Sequence, residues 1–200
     1  MLYHVWECDS IDPSLKKEFD EDLKIKFDES KHLVPESVGD AHSIKDAILN
    51  SVKGFDEIQN MLIVSLTQQL KSIGFIKEND SRELKLERLW ANRMRTGAAA
   101  KLHWHNTRFV MVYYHHAPEN SAELVFIHPK HSAKKFSQEI DFSDNDKLKL
   151  VPKTQTCIFH DGNIPHAVAE HKHQEDRISI ILEFSFERNY KKIFAKLKEL

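Results

Sequence analysis

This chain has little of what marks several large classes of protein. It contains two cysteines, Cys8 and Cys157, among 200 residues, which gives no sign of a disulfide framework and favours a reducing compartment such as the cytoplasm. The formal net charge is −2, so no overall basic field would attract nucleic acid or an anionic membrane. No apolar run is long enough to span a bilayer, and residues 1–9 lack the basic and apolar segments of a signal peptide. We therefore expect a cytoplasmic protein without a membrane partner.

The hydrophobic content of 40% is sufficient for one sizeable core, so we expect a single domain over residues 1–200. Residues 1–80 are predicted to be a helical N-terminal support, with helices from Asp12 toward Phe27, from Ala41 to Val52 and from about Asp56 to Ile73. The third helix has the clearest pattern, because its apolar residues recur at intervals of three and four and Gly74 stands where a C-terminal cap belongs. Residues 188–200 are predicted to be a C-terminal amphipathic helix that packs on the core.

Residues 81–187 have a different character, with short apolar runs that are bounded by turn residues. Eight strands at this spacing are typical of a sandwich or barrel and not of a parallel sheet with covering helices. In the last strand, one face is entirely apolar and the other carries Arg177, Ser179 and Glu183, which indicates a lined cavity. The predicted strands are Leu84–Met94, Lys101–His105, Phe109–His115, Glu123–His128, Lys147–Val151, Thr156–His160, His166–Glu170 and Arg177–Phe186.

Two histidine motifs that are far apart in the sequence predict a metal site. Residues i and i+2 of a strand point to the same face, so His103 and His105 can bind one ion together. A third imidazole from a distant strand, His166, would complete a facial set of ligands and leave the other coordination positions open, as a catalytic metal requires. Arg177 follows His166 by eleven residues on an apolar strand, where it is placed to hold a carboxylate near the metal.

These motifs, taken in order, resemble a family of Fe(II)/2-oxoglutarate oxygenases known from bacteria and phages. The resemblance covers about Leu89 to Phe186, half of the chain, and its pieces are moderately specific only in combination. Val112-Tyr113-Tyr114 is similar to the strand that follows the ligand motif in prolyl hydroxylases. The motifs that carry the resemblance are Trp90-x-Asn92, Asn92-Arg93-Met94 with Gly97 and Lys101-Leu102-His103, then His103-x-His105, Tyr113-Tyr114, Ile158-Phe159, Pro165-His166-Ala167-Val168 and Arg177-Ile178-Ser179-Ile180.

The resemblance implies a mainly β (α+β) fold, a double-stranded β-helix of the jelly-roll or cupin-like type with N-terminal supporting helices. It also implies an oxidoreductase, a dioxygenase that uses Fe(II) and the small-molecule co-substrate 2-oxoglutarate. Such an enzyme would hydroxylate a primary substrate that the sequence does not identify. Homodimers are common in this class, so a homodimer is possible. In this interpretation His103, His105 and His166 bind the metal. Arg177 anchors 2-oxoglutarate with help from Ser179, and Tyr114 and Asn92 are assigned to co-substrate binding by the resemblance alone.

One departure from the usual pattern leaves alternatives open. The common iron triad has a carboxylate two residues after the first histidine, and here His105 occupies that place. Gly97, five residues and His-x-His also match the opening of the cupin metal motif, so a three-histidine metalloenzyme that does not use 2-oxoglutarate is one alternative. A non-catalytic metal- or ligand-binding β-helix module is another. Arg177 could instead pair with Asp176 or Glu183.

Overall fold

The computed structural model describes residues 3–8, 11–30, 32–34, 37–77, 82–127 and 147–188. Within these residues the chain forms eleven strands and three helices. In chain order they are β1 (Tyr3–Glu7), α1 (Pro13–Glu29), β2 (Ser37–Val38), β3 (Ala41–Lys45), α2 (Asp46–Leu49), α3 (Phe55–Ser72), β4 (Arg82–Met94), β5 (Ala99–His103), β6 (Phe109–His116), β7 (Leu124–Ile127), β8 (Lys147–Leu150), β9 (Thr156–Asp161), β10 (His166–Val168) and β11 (Arg177–Arg188).

The strands form two antiparallel sheets that pack face to face. The large sheet has the order β1-β9-β6-β11-β4-β3, and the small sheet has the order β2-β5-β10-β7-β8. Side chains from both sheets meet in one buried cluster, to which Val112 and Ile181 contribute from the large sheet and Phe126 from the small one. All eight predicted strands are present, and the two-layer arrangement confirms the predicted double-stranded β-helix.

The alternating sequence of β11 determines what each face of the large sheet does. Ile180, Leu182 and Phe184 point outward and belong to the larger apolar core, whereas Ile181 points inward between the sheets. Because side chains alternate along a strand, Arg177, Ser179 and Glu183 share the inward face with Ile181. All three are buried polar residues, which confirms the predicted polar lining.

Helices α1 and α3 cover the outward face of the large sheet, as the sequence predicted. The α1 helix begins after Asp12, whose carboxylate accepts hydrogen bonds from the backbone N–H groups of Ser14 and Leu15 at 2.9 and 3.2 Å. The α3 helix buries its apolar stripe in the same core as the outward face of β11. It ends before Gly74, whose φ of +71° is the left-handed conformation that suits a helix C-terminus.

The predicted helix from Ala41 to Val52 is wrong. Residues 41–45 form β3, and only Asp46–Leu49 are helical. The segment pairs with β4, so that Ala41 lies opposite Met94 and Ile44 opposite Ala91, and both Ala41 and Ile44 become fully buried. Pairing with a sheet edge outweighs a weak local helix preference. The N-terminal β1 was likewise not predicted, so the region before residue 80 contributes strands to the large sheet as well as helices.

Two predictions concern other parts of the chain. The predicted C-terminal helix from Tyr190 to Leu200 lies outside the described residues. Among the helices of the described ranges, none is both long and apolar enough to cross a membrane.

Candidate metal centre and co-substrate site

The three predicted histidine ligands come together at one end of the small sheet. His103 ends β5 and lies opposite His166, the first residue of β10, with the centroids of the two rings 4.3 Å apart. His105 follows two residues after β5 ends, and its backbone N–H donates to the carbonyl of Gly162 at 2.8 Å. Its ring centroid is 5.5 Å from that of His103 and 5.1 Å from that of His166. One ligand atom from each residue lies within 4.8 Å of the other two, a spacing that suits a single metal ion.

In each of the three rings, the Nδ1 atom contacts an oxygen that can accept a hydrogen bond. The Nδ1 atom of His103 contacts the carbonyl of Lys101 at 2.7 Å, and that of His166 contacts the carbonyl of Ile164 at 2.9 Å. The Nδ1 atom of His105 contacts the Oε1 atom of Glu183 at 2.7 Å. A carbonyl or carboxylate oxygen can only accept, so each Nδ1 carries the proton and each Nε2 presents a lone pair. Such outer hydrogen bonds are typical of metal-binding histidines.

Burial favours the neutral form of His166, the form that binds metal. It lowers the pKa of His166 well below its ordinary value, and the neighbouring His160 and His103 lower this pKa further. A protonated imidazole has no lone pair for a metal, so a lowered pKa keeps His166 ready as a ligand at neutral pH.

A buried carboxylate, paired with a surface arginine, lies directly behind His105. Glu183 is fully buried on the inward face of β11, and its Oε2 atom accepts a hydrogen bond from Nε of Arg88 at 2.5 Å. Burial alone would raise the pKa of Glu183, but the hydrogen bonds from His105 and Arg88 outweigh it, and the pKa lies below its ordinary value. Glu183 is therefore an anion that has one partner at the metal centre and one at the surface.

The four predicted co-substrate residues occupy one region of the large sheet's inward face. Ser179 of β11 lies in register between Asn92 of β4 and Tyr114 of β6, so the three side chains form a row across three strands. Arg177 stands two residues before Ser179, with its guanidinium carbon 4.9 Å from the centroid of the Tyr114 ring. The structure thus brings all four residues together.

Arg177 is buried without an anion among the described residues. It is 3% exposed, its Nη1 atom contacts the Sδ atom of Met94 at 3.1 Å, and its Nε atom has no hydrogen-bond partner. The Asn92 Oδ1 atom is also buried and finds no partner within the part of the chain that the structure describes. Burial of an uncompensated charge is expensive, so this arrangement fits the carboxylate of a bound acid such as 2-oxoglutarate.

The alternative salt bridges for Arg177 are not formed. Glu183 is engaged by His105 and Arg88. Asp176 lies 3.9 Å from nitrogens of Arg93 and Arg95.

The comparisons with known proteins agree with this geometry. The sequence model of a family described as "Putative 2OG-Fe(II) oxygenase" matches residues 88–183, a range that includes every residue discussed above as ligand or co-substrate contact. The chain matches this family over 96 of its 200 residues, which supports its assignment to the Fe(II)/2-oxoglutarate oxygenase superfamily. It is therefore a 2-oxoglutarate-dependent dioxygenase that uses Fe(II), and its three-histidine cluster fits iron binding. No curated protein matches the chain.

Solved structures of other 2-oxoglutarate oxygenases share the fold at low sequence identity. The viral collagen prolyl hydroxylase of Paramecium bursaria Chlorella virus 1, in complex with 2-oxoglutarate, is 15% identical with a TM-score of 0.58, and the match covers 92% of this chain and 96% of that one. A prolyl-4-hydroxylase of Pseudomonas putida is 12% identical with a TM-score of 0.56 and covers 91% of both chains. HygX of Streptomyces hygroscopicus, with nickel and 2-oxoglutarate bound, is 9% identical with a TM-score of 0.60 and covers 92% of this chain and 82% of that one.

Sequence reasoning missed two residues of the oxygenase's site. His160 is buried on the inward face of β9, with its ring centroid 5.0 Å from that of His166 and its Nε2 atom without a partner. Burial lowers the pKa of His160 to about 4. Arg88 was not singled out because its partner Glu183 is 95 residues away in sequence. The position of His160 at the end of an alternating strand could have indicated its inward orientation.

Several other polar residues near the oxygenase's motifs have structural roles. Asp161, the nearest substitute carboxylate in sequence, accepts hydrogen bonds from Asn163 at 2.9 and 3.1 Å in the predicted turn. His171 is fully buried and its Nε2 atom contacts the carbonyl of Glu175 at 2.7 Å. His115 lies in β6, as predicted, and is hydrogen-bonded to Asp20.

Proposed function

We propose that His103, His105 and His166 hold the Fe(II) of this dioxygenase and that its reaction is a hydroxylation. The support is that one ligand nitrogen of each ring lies within 4.8 Å of the other two, while the three Nδ1 atoms contact oxygen acceptors. Three ligands from one side leave the remaining coordination positions of an octahedral metal open. This is the arrangement that a metal needs if it is to bind both a chelating co-substrate and oxygen.

We propose further that Arg177 binds the distal carboxylate of 2-oxoglutarate, and this assignment carries the proposed function. The observation behind it is a guanidinium that is 3% exposed and has no anionic partner among the described residues. The planar guanidinium suits a carboxylate that is bound through two parallel hydrogen bonds. Ser179 and Tyr114 offer hydroxyl groups beside it, and Asn92 completes the row.

In this proposal the protein supplies placement and a controlled environment. Fe(II), when bound, would activate dioxygen, which is the oxidant: oxidative decarboxylation of 2-oxoglutarate to succinate and CO2 supplies two of its four electrons, and oxidation of the substrate C–H bond to C–OH supplies the other two. Arg177 and its neighbours orient the co-substrate from the large sheet, while the histidines orient the metal from the small sheet. The apolar cluster between the sheets, which includes Val112, Phe126 and Ile181, keeps water away from the co-substrate end.

A three-histidine enzyme that does not use 2-oxoglutarate is the second candidate, and the observation that favours it is His105 in the place of the usual carboxylate. The buried Arg177 distinguishes the two, because an enzyme without an acidic co-substrate has no use for that cation.

Titration of Fe(II) into anaerobic metal-free protein, with and without 2-oxoglutarate, tests the proposal. We expect a weak visible charge-transfer band that requires both additions and that disappears in His166→Ala. His171→Ala is the matched control, because His171 is equally buried but lies outside the cluster. Metal binding without the band and without affinity for 2-oxoglutarate would support the second candidate. Absence of metal binding would leave only a binding module.

The wider setting of the enzyme also belongs to the proposal. We propose that residues 1–80 support the β-helix of residues 81–187 within one domain, because α1 and α3 share a core with the large sheet. A cytoplasmic location is supported by two buried cysteines that are not joined in a disulfide. The predicted homodimer stays a prediction that analytical ultracentrifugation would test. The primary substrate class is left open, although two similar structures are prolyl hydroxylases.

A further inference from the structure

One of the three metal-site histidines differs from the others in what holds it. His103 and His166 are each held by a backbone carbonyl, whereas His105 is held by the carboxylate of Glu183 at 2.7 Å. His105 is also the residue that stands where the usual iron triad has a carboxylate ligand. The negative charge that is missing from the ligand set is therefore present one hydrogen bond farther from the metal.

The fold maintains this charge at a position where it is costly. The Glu183 side chain is 1% exposed, and transfer of a carboxylate from water into a protein interior costs several kcal/mol unless it is paired. The second partner, Arg88, is 60% exposed, so water screens much of its positive charge. The net electrostatic effect of Glu183 and Arg88 on His105 is therefore that of a negative charge. Arg88 holds this charge in place, but water screens the positive charge of Arg88 itself.

We propose that Glu183 is a positioning residue of the iron centre, which fixes the ring of His105 and makes its Nε2 atom a stronger, more electron-rich ligand. The proposal rests on the proposed function, because it takes His105 as a metal ligand. Three neutral imidazoles leave Fe(II) with a formal charge of +2, whereas two imidazoles and a carboxylate leave +1. A hydrogen bond from a ligand histidine to a carboxylate shifts electron density toward the metal and partly replaces the missing charge.

Metal affinity of the metal-free protein is the direct test, measured with Co(II) as a spectroscopic probe in competition with a chelator. Glu183→Gln keeps the size of the side chain and removes its charge, and Glu187→Gln is the matched control on the exposed part of the same strand. We expect Glu183→Gln to weaken Co(II) binding by about 10- to 100-fold, the usual effect of losing an outer partner of a ligand, and to change the visible Co(II) spectrum. Glu187→Gln should leave both unchanged.

A double variant separates a role through His105 from a general structural role. If Glu183 acts through His105, then Glu183→Gln should have no further effect on Co(II) affinity in a His105→Ala background. Equal losses in both backgrounds would overturn the inference, as would an unchanged affinity in the single variant. If Co(II) affinity is insensitive to His166→Ala in the first place, then the proposed metal site itself fails.

Arg88→Gln provides a second measurement if Glu183→Gln does not fold. This substitution removes the positive charge at the surface and leaves the hydrogen bond between His105 and Glu183 intact. The negative charge of Glu183 is then offset less, so His105 experiences more of it. We expect Co(II) affinity to be retained or raised. A tenfold loss would mean that the pair acts only as structural support and would overturn the inference.

Discussion

Arg177 and Arg93 offer a matched pair of substitutions with opposite expected effects. Both arginines are 3% exposed, and they lie on neighbouring strands. Arg93 donates to Asp28 at 2.6 Å, whereas Arg177 has no anionic partner among the described residues. Replacement of either by methionine keeps much of the side-chain volume and removes the charge.

The expected effects on the unliganded protein differ because the partners differ. Arg93→Met removes a hydrogen bond between charged groups, and we expect the free energy of unfolding to fall by about 2 kcal/mol. Arg177→Met removes a buried charge that only bound 2-oxoglutarate would compensate, so we expect the free energy of unfolding to stay the same or to rise by up to about 2 kcal/mol.

For 2-oxoglutarate binding, we expect Arg177→Met to cause a large loss of affinity and Arg93→Met to cause none. Loss of two charge-assisted hydrogen bonds is worth about 3–4 kcal/mol, which weakens the affinity of Arg177→Met by roughly 150- to 1,000-fold. At a concentration 100 times the wild-type Kd, 2-oxoglutarate stabilises the wild type by about 2.7 kcal/mol, or roughly 5–10 °C in Tm. The same concentration should stabilise Arg177→Met by at most about 0.4 kcal/mol, or roughly 1 °C.

Thermal unfolding of the Mn(II)-loaded protein with and without 2-oxoglutarate measures both effects in one experiment. Arg93→Met should melt earlier than the wild type but keep the full shift with 2-oxoglutarate. The reasoning is refuted if Arg177→Met keeps the full shift, or if it destabilises the unliganded protein as much as Arg93→Met does.

Two further predictions concern pH and the loops that hold His105. The unfolded chain binds a proton at His160 near pH 6.5 and the native protein only near pH 4, so this contribution to stability is complete above pH 6.5 and is lost as the pH falls toward 4. In urea unfolding of the metal-free protein, the loss between pH 7.5 and 5 should be about 2 kcal/mol smaller in His160→Leu than in the wild type. A Cβ atom at Gly162 would lie 2.1 Å from the carbonyl oxygen of Thr107, so Gly162→Ala should push apart the loops that contain Gly162 and Thr107. We expect this change to destabilise the protein by about 1–3 kcal/mol and, because His105 donates to the carbonyl of Gly162, to weaken Co(II) binding. Gly74→Ala, which meets no atom within 4 Å, should destabilise by about 1 kcal/mol and leave Co(II) binding unchanged; equal Co(II) affinities in the two variants would contradict this explanation.

The sequence predicts the β-helix well because its strands carry a strong and regular pattern. The alternation along β11 predicts which side chains face the space between the sheets and that several of them are polar, and the structure confirms both. The failure at Ala41–Lys45 has the opposite cause. Its five residues have no strong pattern of their own, and they form a strand because an edge of β4 is available to them.

The ligand trio could be found from the sequence, but its electrostatic surroundings could not. His103 and His105 are separated by two positions, which strand geometry converts directly into a shared face. The contact between His105 and Glu183 joins residues 78 positions apart, and that between Glu183 and Arg88 joins residues 95 positions apart. Both depend on how the two sheets are docked and on the strand register, which local patterns do not specify.

The division of the site between two layers has a consequence for how the enzyme folds. His103 and His166 belong to the small sheet, whereas Glu183 and Arg177 belong to the large one. Neither sheet alone carries a complete site, so tight binding begins only after the layers have docked. Binding of metal and co-substrate would then stabilise the docked arrangement of the two sheets. Their measured affinities would include the free energy of docking. Loosely docked intermediates would lack Glu183 behind His105 and Arg177 for the co-substrate, so they would bind iron and 2-oxoglutarate more weakly than the native protein does.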